Sequence, residues 1–113
     1  VTHVIVDGVI SSEGKPADAS SEIIGSIREH HDGLIVTDEI GMLGLRNFYD
    51  DADQMYLDLF NAGNDVIIFF GTPKQIYHMI SVIEDAVKKG DISEERIDRS
   101  FRRIMTAKGI TVV

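Results

Sequence analysis

Along the chain, short and almost wholly apolar runs alternate with longer stretches in which apolar residues recur every three or four positions. The short runs are THVIV (2–6), LIVT (34–37) and DVIIFF (65–70), and each predicts a strand. Being apolar on both faces, they suit a parallel sheet covered by helices. Ile23, Ile24, Ile27 and His31 fall at helical spacing behind a capping serine, Ser20 or Ser21. The HDG triplet closes that helix, with Gly33 placed for a left-handed turn. A second helix is expected from about Asp50 to Asn61, with Ala52, Met55, Tyr56, Leu59 and Phe60 on one face and NAG at its end. Thr72 caps a third helix with Pro73 at its first position, a stripe of Ile76, Ile80, Ile83 and Val87, and Gly90 as its stop. Ser93 caps a fourth, with Glu94 and Glu95 in its first turn, Ile97, Phe101, Ile104 and Met105 inward, and Gly109 beyond it. Residues 7–21 and the segment around Gly41 and Gly44 read as loops.

The order β-loop-α-β-loop-α-β-α-α implies an α/β fold with a parallel sheet and helices outside it. Three strands close a domain poorly, and a sequence that begins inside a strand reads as a piece of something longer. The expectation is therefore a partial TIM-type barrel, about three parallel strands with flanking helices, from a larger (β/α)8 domain. In such folds the loops at the carboxyl ends of the strands carry the chemistry. Here those loops hold Asp7, the adjacent acids Asp38 and Glu39, and Gly71–Thr72.

Composition narrows the partners. With 113 residues the chain is at the low end for an enzyme domain. Nineteen acidic residues against eleven basic ones give a formal net charge of −8, which argues against nucleic acid or an anionic membrane as partner. No apolar run approaches the roughly 20 residues of a membrane span. No secretory leader pattern opens the sequence, although a processed chain would also lack one. The absence of cysteine removes disulfides and thiolate metal sites; it slightly favours the cytoplasm without excluding export. No His/Asp group has metal-ligand spacing, so neither metal nor cofactor is expected.

The stretch DGLIVTDEIGM (32–42) carries the chemical question, because a buried strand runs straight into two carboxylates. Asp38 either caps the GMLGL turn or stands at the mouth of a site; Glu39 reads as a solvated or supporting acid. His30 and His31 end a helix, where the dipole favours a cation. His78 reads as helix surface, and Asp65 as a structural hydrogen-bonding group at a strand start. The GTP triplet (71–73) lacks the Gly-x4-Gly-Lys-Ser/Thr pattern of a phosphate loop and reads as a helix start. Arg96, Arg99, Arg102 and Arg103, interleaved with Glu94, Glu95 and Asp98, read as the polar side of a helix.

Four pieces in order, THVIVDGVISSEGKPADAS, DGLIVTDEIGM, NAGNDVIIFFG and AVKKGDISEERIDRSFRRIMTAKG, give the chain a resemblance to glycoside hydrolase family three, in its β-N-acetylhexosaminidase-like branch. The resemblance covers essentially all 113 residues, and TD-x-x-GM with RIDRSFRRI is its most specific part. It implies that residues 1–113 are the C-terminal part of the catalytic (β/α)8 barrel, with the sixth, seventh and eighth strands. It also implies that Asp38 is the nucleophile of a retaining glycosidase, acting on terminal β-linked N-acetylhexosamine or β-glucose-type residues through a covalent glycosyl-enzyme. His3 and Met42 match residues near the sugar, and Glu39 replaces the commoner second Asp of TDD.

The same resemblance places the acid/base, a His held by an Asp on a Gly-rich loop, upstream of Val1, together with the residues that hold the sugar. The expectation is thus an active parent enzyme with carbohydrate as its substrate, and a 113-residue chain inactive by itself. Its open strand edges and uncovered apolar face would be met by self-association or by the rest of a barrel. The alternative is a non-catalytic α/β fragment or degenerate family member. A weaker reading is a phosphate-binding part of another βα barrel, for which GTPKQ is only loosely suitable.

Overall fold

In the computed structural model, which describes all of residues 1–113, two parallel strands lie side by side among five α-helices. Strand β1 is Val36–Glu39 and β2 is Val66–Ile68. Val36 pairs with Val66 and Glu39 with Ile68, so between these pairs β1 holds one residue more than β2. That extra residue is a bulge, and it falls at Thr37 and Asp38. Thr37 Oγ1 takes the bond from the Ile68 N–H, at 3.1 Å.

The helices are α1 (Ser21–Arg28), α2 (Leu43–Arg46), α3 (Ala52–Ala62), α4 (Pro73–Lys89) and α5 (Glu94–Ala107), and a 3-10 turn, Ala17–Ala19, leads into α1. Their starts follow local chemistry. Ser20, Asp51 and Ser93 accept backbone N–H groups at the heads of α1, α3 and α5. Thr72 and Gln75 form a reciprocal capping box on α4, with Pro73 at its first position. Gly63 ends α3 at φ 116°, and a Cβ there would lie 2.9 Å from Ile24 Cγ2. Only glycine satisfies both the left-handed backbone and the approach of α1.

One core gathers Ile40, Leu45, Met55, Tyr56, Leu59, Ile83, Ala86 and Ile92 between the sheet, α2, α3 and α4. A smaller one joins Ile24, Ile35 and Ala62. The accessible surface is 7120 Å², whereas a compact monomer of 12.5 kDa is expected near about 6,200 Å². The excess includes apolar side chains such as Phe70, Val9 and Leu43, exposed 87%, 104% and 71%.

Several expectations are corrected. The THVIV run is not a strand. Only Val1 runs beside β1, its N–H on Val36 O at 2.7 Å and its carbonyl accepting from Asp38 N at 2.8 Å. Farther on, Val4 O accepts from Ala17 N, and both backbone groups of Val6 bind Ser12, so the loop takes the bonds a ladder would need. The sheet therefore has two strands, not about three. LIVT is displaced, since Leu34 and Ile35 precede β1 while Asp38 and Glu39 lie inside it; DVIIFF contracts to three residues. The Gly41–Gly44 loop contains a short helix, α2. His31 lies beyond α1, and Gly33 does not take a left-handed backbone. Ala52 and Ile80, expected inward, are exposed.

The fourth predicted helix keeps Ile97 against the core and Ile104 and Met105 half-buried, and a second face also turns inward. Phe101 is exposed, while Arg96, Ser100 and Arg103, one helical stripe, meet the start of β2. Arg96 donates to Phe60 O at 3.0 Å, to Asn64 O and to Ser100 Oγ at 2.5 Å. Arg103 and Arg28 reach Asp65 at 3.1 and 2.6 Å. Arg96 and Arg103 are thus structural, not solvated as the alternating charges suggest. The reason lies beneath them: buried Asp65 needs the cation of Arg103, and the Phe60 and Asn64 carbonyls take the donors of Arg96.

Candidate active site

The two acids emerge at the carboxyl end of β1 but are used differently. Glu39 Oε1 accepts from Gly41 N at 2.9 Å and from Phe70 N at 3.0 Å, so its carboxylate joins the ends of the two strands. A Cβ on residue 41 would lie 3.0 Å from both Glu39 carboxylate oxygens, so a side chain there would press on the carboxylate. Asp38 is half-buried. Its Oδ1 accepts from Glu39 N at 2.9 Å, and its Oδ2 has only the Thr2 hydroxyl, at 3.4 Å. Asp38 therefore keeps a carboxylate oxygen with room for another partner, aimed by the bulge.

Beside them lies a pair that sequence reading did not find. His3 Nδ1 is 2.7 Å from Asp18 Oδ2, with the two side chains 5% and 0% exposed. The approach is short but poorly aligned as a hydrogen bond, and Asp18 Oδ1 is buried without a partner. Burial raises the Asp18 carboxyl above its ordinary value, against the pull of His3. On the other side of the ring, Nε2 is 2.9 Å from Glu39 O. A carbonyl can only accept, so Nε2 carries hydrogen. The only hint in the sequence was a lone acid between two alanines in PADAS. Its meaning required the loop to fold back under His3.

Met42 begins α2 and is 49% exposed, and its N–H also reaches Glu39 O, at 3.3 Å. Of the four residues singled out from the sequence, Asp38, Glu39, His3 and Met42, all meet at this one strand end. The other histidines lie elsewhere. His30 and His31 bind the carbonyls of Ser26 and Leu34 around the end of α1. His78 is surface-exposed and pairs with Asp53 at 2.7 Å.

Acids at the carboxyl end of a parallel strand stand where βα folds place their functional loops. The chain belongs to the glycosyl hydrolase family 3 N-terminal domain family, whose profile matches residues 1–107. It is 26% identical over 117 residues to the β-hexosaminidase LpqI of Mycobacterium bovis (strain BCG / Pasteur 1173P2). That alignment covers 96% of this chain and 29% of the relative, so the chain spans under a third of the length of the curated proteins it matches. The M. tuberculosis LpqI structure superposes with a TM-score of 0.83 at 25% identity, over 99% of this chain and 34% of that one. A family 3 β-N-acetylglucosaminidase from Paenibacillus sp. str. FPU-7 gives 0.77 at 30% identity, over 88% and 19%.

Proposed function

We propose that residues 1–113 form the C-terminal, nucleophile-bearing part of a (β/α)8 catalytic domain. That domain would belong to a retaining glycoside hydrolase that removes terminal β-linked N-acetylhexosamine. The observation that carries this reading is the unequal use of the two acids. Glu39 is held by two backbone N–H groups, while Asp38 presents Oδ2 at the rim with one weak partner.

In this reading Asp38 attacks the anomeric carbon as the glycosidic oxygen leaves with a proton, forming an ester bond to the sugar. Water then cleaves that ester and restores the carboxylate, so configuration is retained. The Glu39 N–H on Oδ1 fixes the angle of attack. Met42 offers an apolar surface to the sugar, with His3 and Glu39 behind it as the frame of the site. His3 is not the acid, because both ring nitrogens already face protein oxygens. The proton donor comes from outside residues 1–113. The β-hexosaminidase and β-N-acetylglucosaminidase named above support the choice of sugar.

The test is to trap the intermediate in the intact enzyme with a slow fluorinated N-acetylhexosaminide and map it by peptide mass spectrometry. The label is expected on Asp38. A label on another residue, or undiminished turnover by Asp38→Asn, would overturn the assignment.

A further inference from the structure

We infer that Asp18 is a positioning residue for Asp38, acting through the ring of His3 and the backbone of Glu39. The inference rests on the reading of Asp38 as nucleophile and adds to it a support that lies outside the strand.

The contacts run in series. Asp18 sits in the turn Ala17–Ala19, which is fastened from both sides: Ala17 N donates to Val4 O at 2.8 Å, and Asn64 Nδ2 donates to Asp18 O at 2.7 Å. The fastened carboxylate faces His3 Nδ1, and the opposite ring nitrogen donates to Glu39 O. Glu39 N donates in turn to Asp38 Oδ1. Bulged backbone is not held by a regular ladder, so the direction of the Glu39 N–H depends on what grips that residue. His3 grips it from the loop side, and the Glu39 carboxylate from the β2 side.

The choice of Asp follows from the ring. With hydrogen on Nε2, the Nδ1 to Oδ2 contact holds one proton, carried either by the ring or by the acid. Losing it would leave an unpaired buried charge, because Asp18 Oδ1 has no partner and neither side chain reaches water. The other charged or titratable groups acting on the pair are the Val1 ammonium and Tyr49. The ring is thereby kept in one tautomer and one orientation.

Ring nitrogen NMR of His3 in the intact enzyme, assigned by its loss in His3→Gln, tests the pair without reference to activity. The His3 Nδ1 signal is expected to shift between wild type and Asp18→Ala, where its buried neighbour is gone, while Nε2 keeps its hydrogen on Glu39 O. In kinetics, Asp18→Ala is expected to lower kcat by about 10- to 100-fold with KM changed less than about threefold, the size of effect a misplaced reacting group gives. Asp18→Asn, whose amide can still donate to Nδ1, should keep kcat within about threefold of wild type and needs no buried charge to fold. An Nδ1 signal unchanged by Asp18→Ala would overturn the inference, as would Asp18→Asn losing as much kcat as Asp18→Ala. An unchanged kcat in Asp18→Ala would also overturn it, leaving the nucleophile reading standing wherever Asp38→Asn is dead. A fully active Asp38→Asn would overturn both.

Discussion

Glu39 accepts a hydrogen bond from the backbone N–H of Phe70, 3.0 Å away and just beyond β2, so a side chain closes the sheet where the regular ladder stops. The same oxygen takes the Gly41 N–H. A carboxylate with two backbone donors is a structural clamp, whereas its neighbour Asp38 keeps Oδ2 with a single weak partner. Adjacent acids of the same charge are thus held to different degrees by their hydrogen bonds.

That difference predicts unequal mutants in the intact enzyme. Asp38→Asn should lower kcat by on the order of 10⁴-fold or more, as loss of a covalent nucleophile does, with the fold kept. Small anions such as azide or formate should restore some turnover to Asp38→Ala, with inverted product. Glu39→Gln keeps an acceptor for both N–H groups and should retain turnover within about tenfold, whereas Glu39→Ala should cost about 1–3 kcal/mol in urea denaturation. Equal loss in Asp38→Asn and Glu39→Gln would remove the basis for choosing between them.

Asp65 should be the most sensitive polar position for stability. Its carboxylate holds Ser100, the Ile35 N–H, Arg28 and Arg103. Replacement by Asn should cost about 3–5 kcal/mol, since cations are left uncompensated in partly buried positions. Burial alone would raise the Asp65 carboxyl, but the bonds from Ser100, Ile35 and Arg28 outweigh it and hold it below its ordinary 3.8. A depressed carboxylate contributes stability above its unfolded value and loses it as pH falls through the folded one. The gap between wild type and Asp65→Asn should be constant from pH 5 to 7 and shrink below about pH 4. A gap that instead widened in acid would contradict the sign.

Gly63→Ala should destabilise by about 1–3 kcal/mol without touching the site. The added methyl meets Ile24 Cγ2 at 2.9 Å, and the φ of 116° is strained for any side chain. Thermal denaturation of Gly63→Ala beside the double variant with Ile24→Val would show whether the clash or the backbone dominates. A single variant as stable as wild type would refute both.

The 113-residue polypeptide alone should show no hydrolysis of aryl N-acetyl-β-glucosaminides and should self-associate. The loss of a general acid removes about 10²–10⁴-fold, and apolar Phe70 and Ile68 stand exposed at the sheet end. Sedimentation or light scattering at rising concentration should give a growing mass. A monodisperse monomer at high concentration would count against the assembly, and steady turnover abolished by Asp38→Asn would count against the requirement for an outside acid.

The sequence alone determined what is local. Helix starts were legible because Ser20, Thr72 and Ser93 are short polar groups placed before periodic apolar residues, a chemistry that acts within four positions. Asp38 stood out because a strand ended on it inside a recognisable motif. Tertiary structure decided what depends on distant partners. THVIV has strand composition, yet the Ser12 and Ala17 backbones took its hydrogen bonds. Arg96 and Arg103 look solvated beside their acidic neighbours, until the fold sets the Phe60 and Asn64 carbonyls against one and buried Asp65 against the other. Asp18 showed only as a lone acid between two alanines, since its meaning lies 15 residues away, on the ring of His3. A side chain's propensity is its own, but its role in a site belongs to whatever the fold brings within 3 Å of it.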